Sequence, residues 1–330
     1  MKRFLQLICC ATLLTACEQW GESLDIKSNS AIAFNAESIV RSALTQEVID
    51  NARATVMVYA TQNGGELYNN VEIGRQSTGK WYPKTGKTDW VSGSNYLFYG
   101  YAYNTTEGLK INDNGKSLTV NQPTSYNEEK MIDYLLSYQF PVANGAMKPI
   151  VQLQLEHAMT LVEIYVVRGN LFKARLKKLS LENLFSSASL KCTTQAVIND
   201  GTTNVWEVNP LGNGTTKYTI QQNPGIEIAD TRESTAAKMK IMCIPQQLTA
   251  NTTLTVVYEV NEKVTSDDDA DNWVEHTESF QLFKYDPIAY QSGHRVIYTA
   301  TIDSGVNLQG VIAEWNDVDY IEGTILPDIQ

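Results

Sequence analysis

The sequence predicts an all-β protein built from one or two antiparallel β-sandwiches. Three observations point there. Short runs rich in β-branched and aromatic residues recur along the chain, turn-forming clusters separate them, and a single stretch shows helical periodicity. At 330 residues the chain exceeds the size at which one core usually keeps growing, so two domains are expected.

The first element belongs to neither domain. Lys2 and Arg3 make a short positive region, and residues 4–14 then run almost wholly apolar. That run is too short to span a bilayer as a stable helix but suits a signal-peptide core. It ends in Leu14-Thr15-Ala16-Cys17, the pattern of a bacterial lipobox. Signal peptidase II requires a branched apolar residue, then small residues, then a thiol to carry diacylglycerol, so residues 1–16 read as a lipoprotein signal peptide and Cys17 as the lipid-attachment site. The alternative is an ordinary secretion signal in which Cys17 is incidental. Because stable anchoring takes two hydrophobic signals, a diacylated Cys17 would suffice. No other stretch approaches the roughly 20 apolar residues of a membrane-spanning helix.

The strands follow in order. Residues 31–35 (Ala-Ile-Ala-Phe-Asn) read as a short strand, and 53–59 (Arg-Ala-Thr-Val-Met-Val-Tyr) as a second, stopped by Asn63-Gly64-Gly65. Residues 96–103 (Tyr-Leu-Phe-Tyr-Gly-Tyr-Ala-Tyr) form an aromatic strand with Gly100 at its middle, a common place for a bulge or close packing. Further strands are read at 118–120, 151–155, 161–167, 254–260 and 296–302, punctuated by turns at 112–115, 199–201 and 212–214. The helical periodicity lies at 127–137, where Met131, Ile132, Leu135 and Leu136 share a face, and predicts a short surface helix or a turn-rich crossover. Small residues around Gly145 place a boundary near 144–148, giving an N-terminal domain over 17–148 and a C-terminal domain over 149–330.

Charge and composition exclude several functions. The net charge of −11 with no strong basic cluster argues against nucleic acid, which needs a basic patch; Lys173, Arg175, Lys177 and Lys178 come nearest and read as a solvated segment. Cys9 and Cys10 would leave with the signal peptide. Cys192 and Cys243 are compatible with a disulfide or with separate core thiols. A zinc site is not expected, because Cys-x-x-Cys is absent and His157, His276 and His294 are scattered. The acidic run at 267–271 lacks the glycine turn and distal Glu of an EF-hand loop and reads as a solvated hairpin tip. His157 reads as a packed or hydrogen-bonded core residue. With no nucleophile elbow, phosphate-binding loop, His-Glu-x-x-His or defensible carboxylate pair, the reading is of a protein that is not an enzyme and takes no cofactor.

The aromatics between 81 and 103 allow two readings. Sugar-binding surfaces use such rings for stacking, and Trp81, Tyr82 and Trp90 are the candidates for an exposed aromatic surface. Leu97, Tyr99 and Tyr101 share one face of their strand and read as core.

At these residues the sequence resembles the fimbrillin-like lipoproteins of Bacteroidales, the subunits of type V fimbriae. Cys17 is followed by the strand at 31–35 and then Arg41. Trp90-Val-Ser-Gly-Ser-Asn-Tyr-Leu-Phe-Tyr-Gly-Tyr-Ala-Tyr103 is similar to the family's aromatic turn and strand. Asp133-Tyr-Leu-Leu136 followed by Val151-Gln-Leu-Gln-Leu-Glu-His-Ala-Met-Thr-Leu-Val162 is similar to its interdomain passage. Gly293-His-Arg-Val-Ile-Tyr298 with Trp315 is similar to its closing strands. The chain departs at Asp89-Trp90-Val91, where the family often has Tyr-Trp-Pro, and at Tyr103-Asn104, where Ala-Pro is common.

The resemblance implies two transthyretin-like β-sandwiches in tandem and an exported structural or adhesive subunit. It implies assembly by strand exchange: a protease cuts after an Arg, here Arg41 or else Arg53, removes the first strand, and a strand of the next subunit fills the groove. Residues 320–329 have the spaced apolar side chains a donor strand needs, or would close their own sheet. Expected partners are other fimbrial subunits, the outer membrane through the lipid, and host or bacterial surface ligands. The rival function is a surface glycan-binding lipoprotein built on Trp81, Tyr82 and Trp90.

Overall fold

The computed structural model describes residues 31–38, 55–86, 88–103, 108–112, 117–137, 139–145, 147–169, 173–192, 206–212, 216–261 and 273–315. Most of these residues are strand. The first half holds β1 (Phe34–Ser38), β2 (Thr55–Gln62), β3 (Gly65–Arg75), β4 (Trp81–Pro83) and β5 (Tyr96–Tyr103). It continues with β6 (Leu109–Asn112), β7 (Ser117–Asn121), β8 (Tyr134–Ser137), β9 (Phe140–Val142) and β10 (Val151–His157). The second half holds β11 (Thr160–Arg168), β12 (Lys173–Glu182), β13 (Ser187–Cys192), β14 (Trp206–Leu211), β15 (Lys217–Glu227) and β16 (Lys238–Cys243). Last come β17 (Gln246–Gln247), β18 (Thr253–Asn261), β19 (Trp273–Gln281), β20 (Ala289–Tyr290), β21 (His294–Ile302) and β22 (Val306–Glu314).

The first half is a ring rather than two facing sheets. Its strands run in the order β2-β3-β4-β1-β10-β8-β5, and β5 pairs back onto β2 along its whole length, from Thr55 opposite Tyr103 to Gln62 opposite Tyr96. Closure removes the free edges that an open sheet would expose. The interior is packed by alternate residues: Val56, Val58 and Ala60 from β2, Phe98 and Ala102 from β5, Val151, Leu153 and Leu155 from β10. Gly100 carries the close packing its position suggested. A Cβ there would lie 3.0 Å from the Met57 carbonyl oxygen and 3.1 Å from Leu153 Cδ1.

A second sheet, in the order β14-β13-β7-β6, covers part of the ring's outer face. Tyr59, Tyr99, Tyr101 and Tyr103 point outward from β2 and β5 into a core shared with Leu118 and Val120 of β7 and Ala188 and Leu190 of β13. The aromatic strand is therefore buried on both faces. Tyr99 and Tyr101 are core as expected, whereas Leu97 is only half-buried.

Where a short surface helix or a turn-rich crossover was expected, at 127–137, the chain makes a 3₁₀ turn at Glu128–Lys130 and then the strand β8, all of whose residues are buried. Leu135 points into the ring and Tyr134 and Leu136 into the outer core. A strand covered on both faces reads as a continuous apolar run, which periodicity cannot tell from a helix.

The second half has two four-stranded sheets, β16-β11-β21-β22 and β15-β12-β18-β19, whose inward side chains form one core. Strands cross the boundary anticipated at 148/149. β10 lies between β1 and β8 of the ring, and β13 pairs with β7. Asn144 and Gly145, at φ 67° and 52°, make a turn, and that turn packs against the Val91 carbonyl of the first half. Among the described residues no helix is long and apolar enough to cross a membrane.

Candidate functional site: the seat of the first strand

The strand β1 occupies a slot in the ring between β10 and β4. On one side it runs parallel to β10 for its full length, from Phe34 opposite Val151 to Ser38 opposite Leu155. On the other side it meets β4 only at Phe34 opposite Trp81, with a further bridge between Ala31 and Asp89. The Ile32 N–H donates to the Thr88 carbonyl at 2.9 Å and the Val151 N–H to the Ala33 carbonyl at 2.9 Å. The ring's weakest seam is thus the one between β1 and β4.

The side chains divide by the period of the strand. Ile32, Phe34 and Ala36 point inward and have no exposed surface. The Phe34 ring stands edge-on to Phe98 at a centroid distance of 5.7 Å and is tilted against Tyr68 at 6.2 Å. Asn35 points outward, and its Nδ2 donates to Gln152 Oε1 at 3.0 Å. Fully burying a side chain such as Ile or Phe is worth roughly 1.5–3 kcal/mol. An empty slot would leave a ladder of unpaired backbone groups on β10 above an apolar trough. Chemically, what such a slot would offer is backbone hydrogen bonds and an apolar trough.

The sequence-predicted positions distribute unevenly around this seat. Trp81 lies beside it, and Trp81, Tyr82 and Trp90 are buried, with 2%, 6% and 6% of their surface exposed. The exposed aromatic surface expected from them is therefore not present. Trp90 packs edge-on against Tyr96 at 4.8 Å and Phe98 at 5.7 Å, as part of the ring's interior. Cys17, Arg41, Arg53, the acidic run 267–271 and the segment 320–329 lie outside the described residues. Arg41 and Arg53 both fall in the link 39–54 that joins β1 to β2 in sequence.

Two of the motifs that carried the family resemblance, the interdomain passage and the closing strands, meet at one buried joint where the ring passes into the second half. His157, the last residue of β10, is buried, with Nδ1 2.8 Å from Asp133 Oδ2. Trp315, just past β22, stacks on the imidazole at 3.8 Å and 9°. The Ala158 N–H donates to the Tyr134 carbonyl at 2.7 Å, and Gly293 N–H to the Met159 carbonyl at 2.9 Å. The Asp–His pair is sealed from solvent, so it ties elements together and offers no reacting surface. His157, buried and stacked under Trp315, answers to the packed alternative of the reading its setting suggested.

A second buried polar group had a signal in the sequence that was not used. Glu163, Lys240 and Arg295 are buried charges within the apolar strands β11, β16 and β21. Glu163 Oε2 accepts from Arg295 Nη2 at 2.7 Å and Nε at 3.0 Å, and Lys240 Nζ lies 3.2 Å from Oε1. Burial, helped by the Glu163 carboxylate, pushes the neighbouring Tyr165 phenol up to about 12. Cys243 is a buried free thiol whose pKa burial raises. Among the described residues no group of His, Cys, Asp or Glu is arranged to hold a metal.

A sequence model of the fimbrillin-like family matches residues 43–315. No curated protein matches the chain in sequence. Among solved structures, a candidate cell-adhesion protein from Bacteroides uniformis shares the fold over 87% of this chain and 100% of its own, with 14% identity and a TM-score of 0.54. A fimbrial assembly protein from Parabacteroides distasonis aligns over 86% of this chain and 96% of its own at 13% identity and a TM-score of 0.39. The C-terminally truncated tip fimbrial protein of Porphyromonas gingivalis aligns over 86% and 99% at 8% identity and a TM-score of 0.42. The family match spans both halves of the fold, from the link after β1 to the tryptophan that closes the joint, and the chain belongs to the fimbrillin-like family.

Proposed function

We propose that this protein is a subunit of a cell-surface fimbria, exported as a lipoprotein through Cys17 and assembled by exchange of its first strand. Membership of the fimbrillin-like family supports a fimbrial or adhesive role with other fimbrial subunits as partners, at the cell surface, and a structural rather than enzymatic task. The lipid on Cys17 would hold the chain at the outer membrane until processing. In this reading the two-layered second half is the transthyretin-like sandwich that the resemblance implies, and the ring with its outer sheet takes the place of the other.

The observation that carries the exchange step is the seat of β1. The strand is joined to the rest of the chain only through residues 39–54, has one full ladder and one seam, and fills a trough with three inward side chains. Cleavage after Arg41 or Arg53 would leave it held by noncovalent contacts alone. A strand from another subunit could then satisfy the same β10 groups and the same trough. The spaced apolar residues of segment 320–329 suit such a donor.

An arginine-specific protease applied to the purified full chain tests this. The expected result is a new N-terminus just after Arg41 or Arg53, loss of β1 and the appearance of polymers in electron micrographs. A synthetic peptide of residues 31–38 added in excess should suppress polymers by refilling the seat. Clean cleavage with β1 released and only monomers remaining would sink the stalk-like role.

A further inference from the structure

The second half carries a cleft that strand exchange does not use. Where β12 ends, the chain turns at Asn183, held at φ 65°, and passes Phe185. Opposite, a turn at 249–252 leads into β18 at Thr253, and β19 ends at Gln281. These elements line a half-open cleft of about 560 Å³, inside the range of roughly 300–1,000 Å³ that small-ligand sites occupy. None of these residues belongs to the seat of β1.

Its walls are tied in place. Asn183 Nδ2 donates to the Asn251 carbonyl at 2.8 Å and Gln281 Nε2 to the Ala250 carbonyl at 3.2 Å. The Thr252 N–H closes the turn on the Thr249 carbonyl at 3.0 Å. The Phe185 N–H donates to Gln246 Oε1 at 2.9 Å, and Gln246 Nε2 is itself fixed on the Ile244 carbonyl at 2.8 Å. A site built this way loses little freedom when it binds.

The lining selects a chemistry. It is made of amides and threonine hydroxyls, one phenyl ring and no charged side chain. A phosphate, sulfate or carboxylate would find no cation there, and a metal ion no carboxylate. An apolar ligand would strip water from the amides without replacing its hydrogen bonds. A ring bearing several hydroxyls and one C–H face satisfies both parts of the wall. We infer that this cleft binds a neutral saccharide residue, with Phe185 against the ring's C–H face and Asn183, Asn251, Thr253 and Gln281 on its hydroxyls.

The test uses the uncut full chain, so it is independent of strand exchange. Immobilised gluco-, galacto- and manno-oligosaccharides are the probes, with sialylated and sulfated oligosaccharides as the charged comparison. Retention of a neutral member is expected, weakened about tenfold by Phe185→Ala, the loss that one good contact confers. Thr253→Val, which keeps the branched shape and removes the hydroxyl, should weaken it too; it carries the test if Phe185→Ala fails to fold. Folding of each variant is checked by near-ultraviolet circular dichroism. No retention across the neutral panel, retention of charged members only, or retention unchanged in a folded variant would overturn the inference.

Discussion

Truncating Phe34 to alanine reads out how firmly the first strand is seated. The ring of Phe34 is wholly buried, edge-on to Phe98 and tilted against Tyr68, with Trp81 opposite it across the seam. Removing it deletes the largest inward side chain of β1 and leaves a cavity that a closed ring of strands can collapse only in part. Such truncations cost about 3–5 kcal/mol, set against a usual total of about 5–15 kcal/mol. If β1 opens as a unit, each loss of about 1.4 kcal/mol multiplies the open population tenfold, so the vacant seat should become at least a hundredfold more frequent. Equilibrium urea unfolding followed by tryptophan fluorescence measures the global loss, and hydrogen exchange of the amides paired between β1 and β10 measures the opening. Asn35→Ala, on the outward face, should change either quantity far less, because its hydrogen bond to Gln152 is exposed to solvent. A Phe34→Ala loss below about 1 kcal/mol with unchanged exchange of those amides would refute the seating of β1 described above.

Three other perturbations probe the rest of the fold. Glu163→Gln leaves the guanidinium of Arg295 and the ammonium of Lys240 facing a neutral amide in a nearly dry site, and should cost about 3–5 kcal/mol by chemical denaturation; a near-neutral result would mean water reaches the group. Gly310→Ala would put a Cβ 2.0 Å from the Asp286 carbonyl oxygen and 2.8 Å from Tyr298 Cε1, so a loss of about 1–3 kcal/mol is expected, and an unchanged melting temperature would contradict that approach. Burial lifts the Tyr165 phenol from its ordinary value to about 12. The unfolded chain gives up that proton near pH 10 while the folded one retains it, so this contribution is complete below about pH 10 and drains away as pH rises through about 12. Denaturation midpoints across that window should fall less steeply for Tyr165→Phe, and parallel slopes would count against the assignment.

How far the sequence alone reaches can be judged at particular residues. The all-β class was legible because strand signals are local: β-branched and aromatic runs such as 96–103, interrupted by Asn-Gly turns, need no partner to be recognised. Gly100, His157 and the inward set of β10, at Val151, Leu153 and Leu155, were legible for the same reason, since burial on one face writes a period of two. The family, too, could be read from ordered motifs without coordinates. What failed was every inference that needed to know what lies on the second face. Tyr134–Ser137 looked helical, and Trp81, Tyr82 and Trp90 looked available, because a residue pointing into a ring and one pointing under a covering sheet are both apolar or aromatic and carry no mark of which neighbour hides them.

By itself, then, the sequence determined the strand-rich class, the export signal ending at Cys17 as an expectation, and the resemblance to fimbrillin-like proteins. Only the tertiary structure decided that β5 closes onto β2, that β1 sits parallel to β10 behind a one-residue seam with β4, and that Asp133, His157 and Trp315 converge on one joint. The reason is one of range. Propensity and turn chemistry act over a few residues, whereas closure, register and the stacking of Trp315 on His157 join positions from tens of residues to more than a hundred apart, and such pairings follow from how the whole apolar surface can be buried at once.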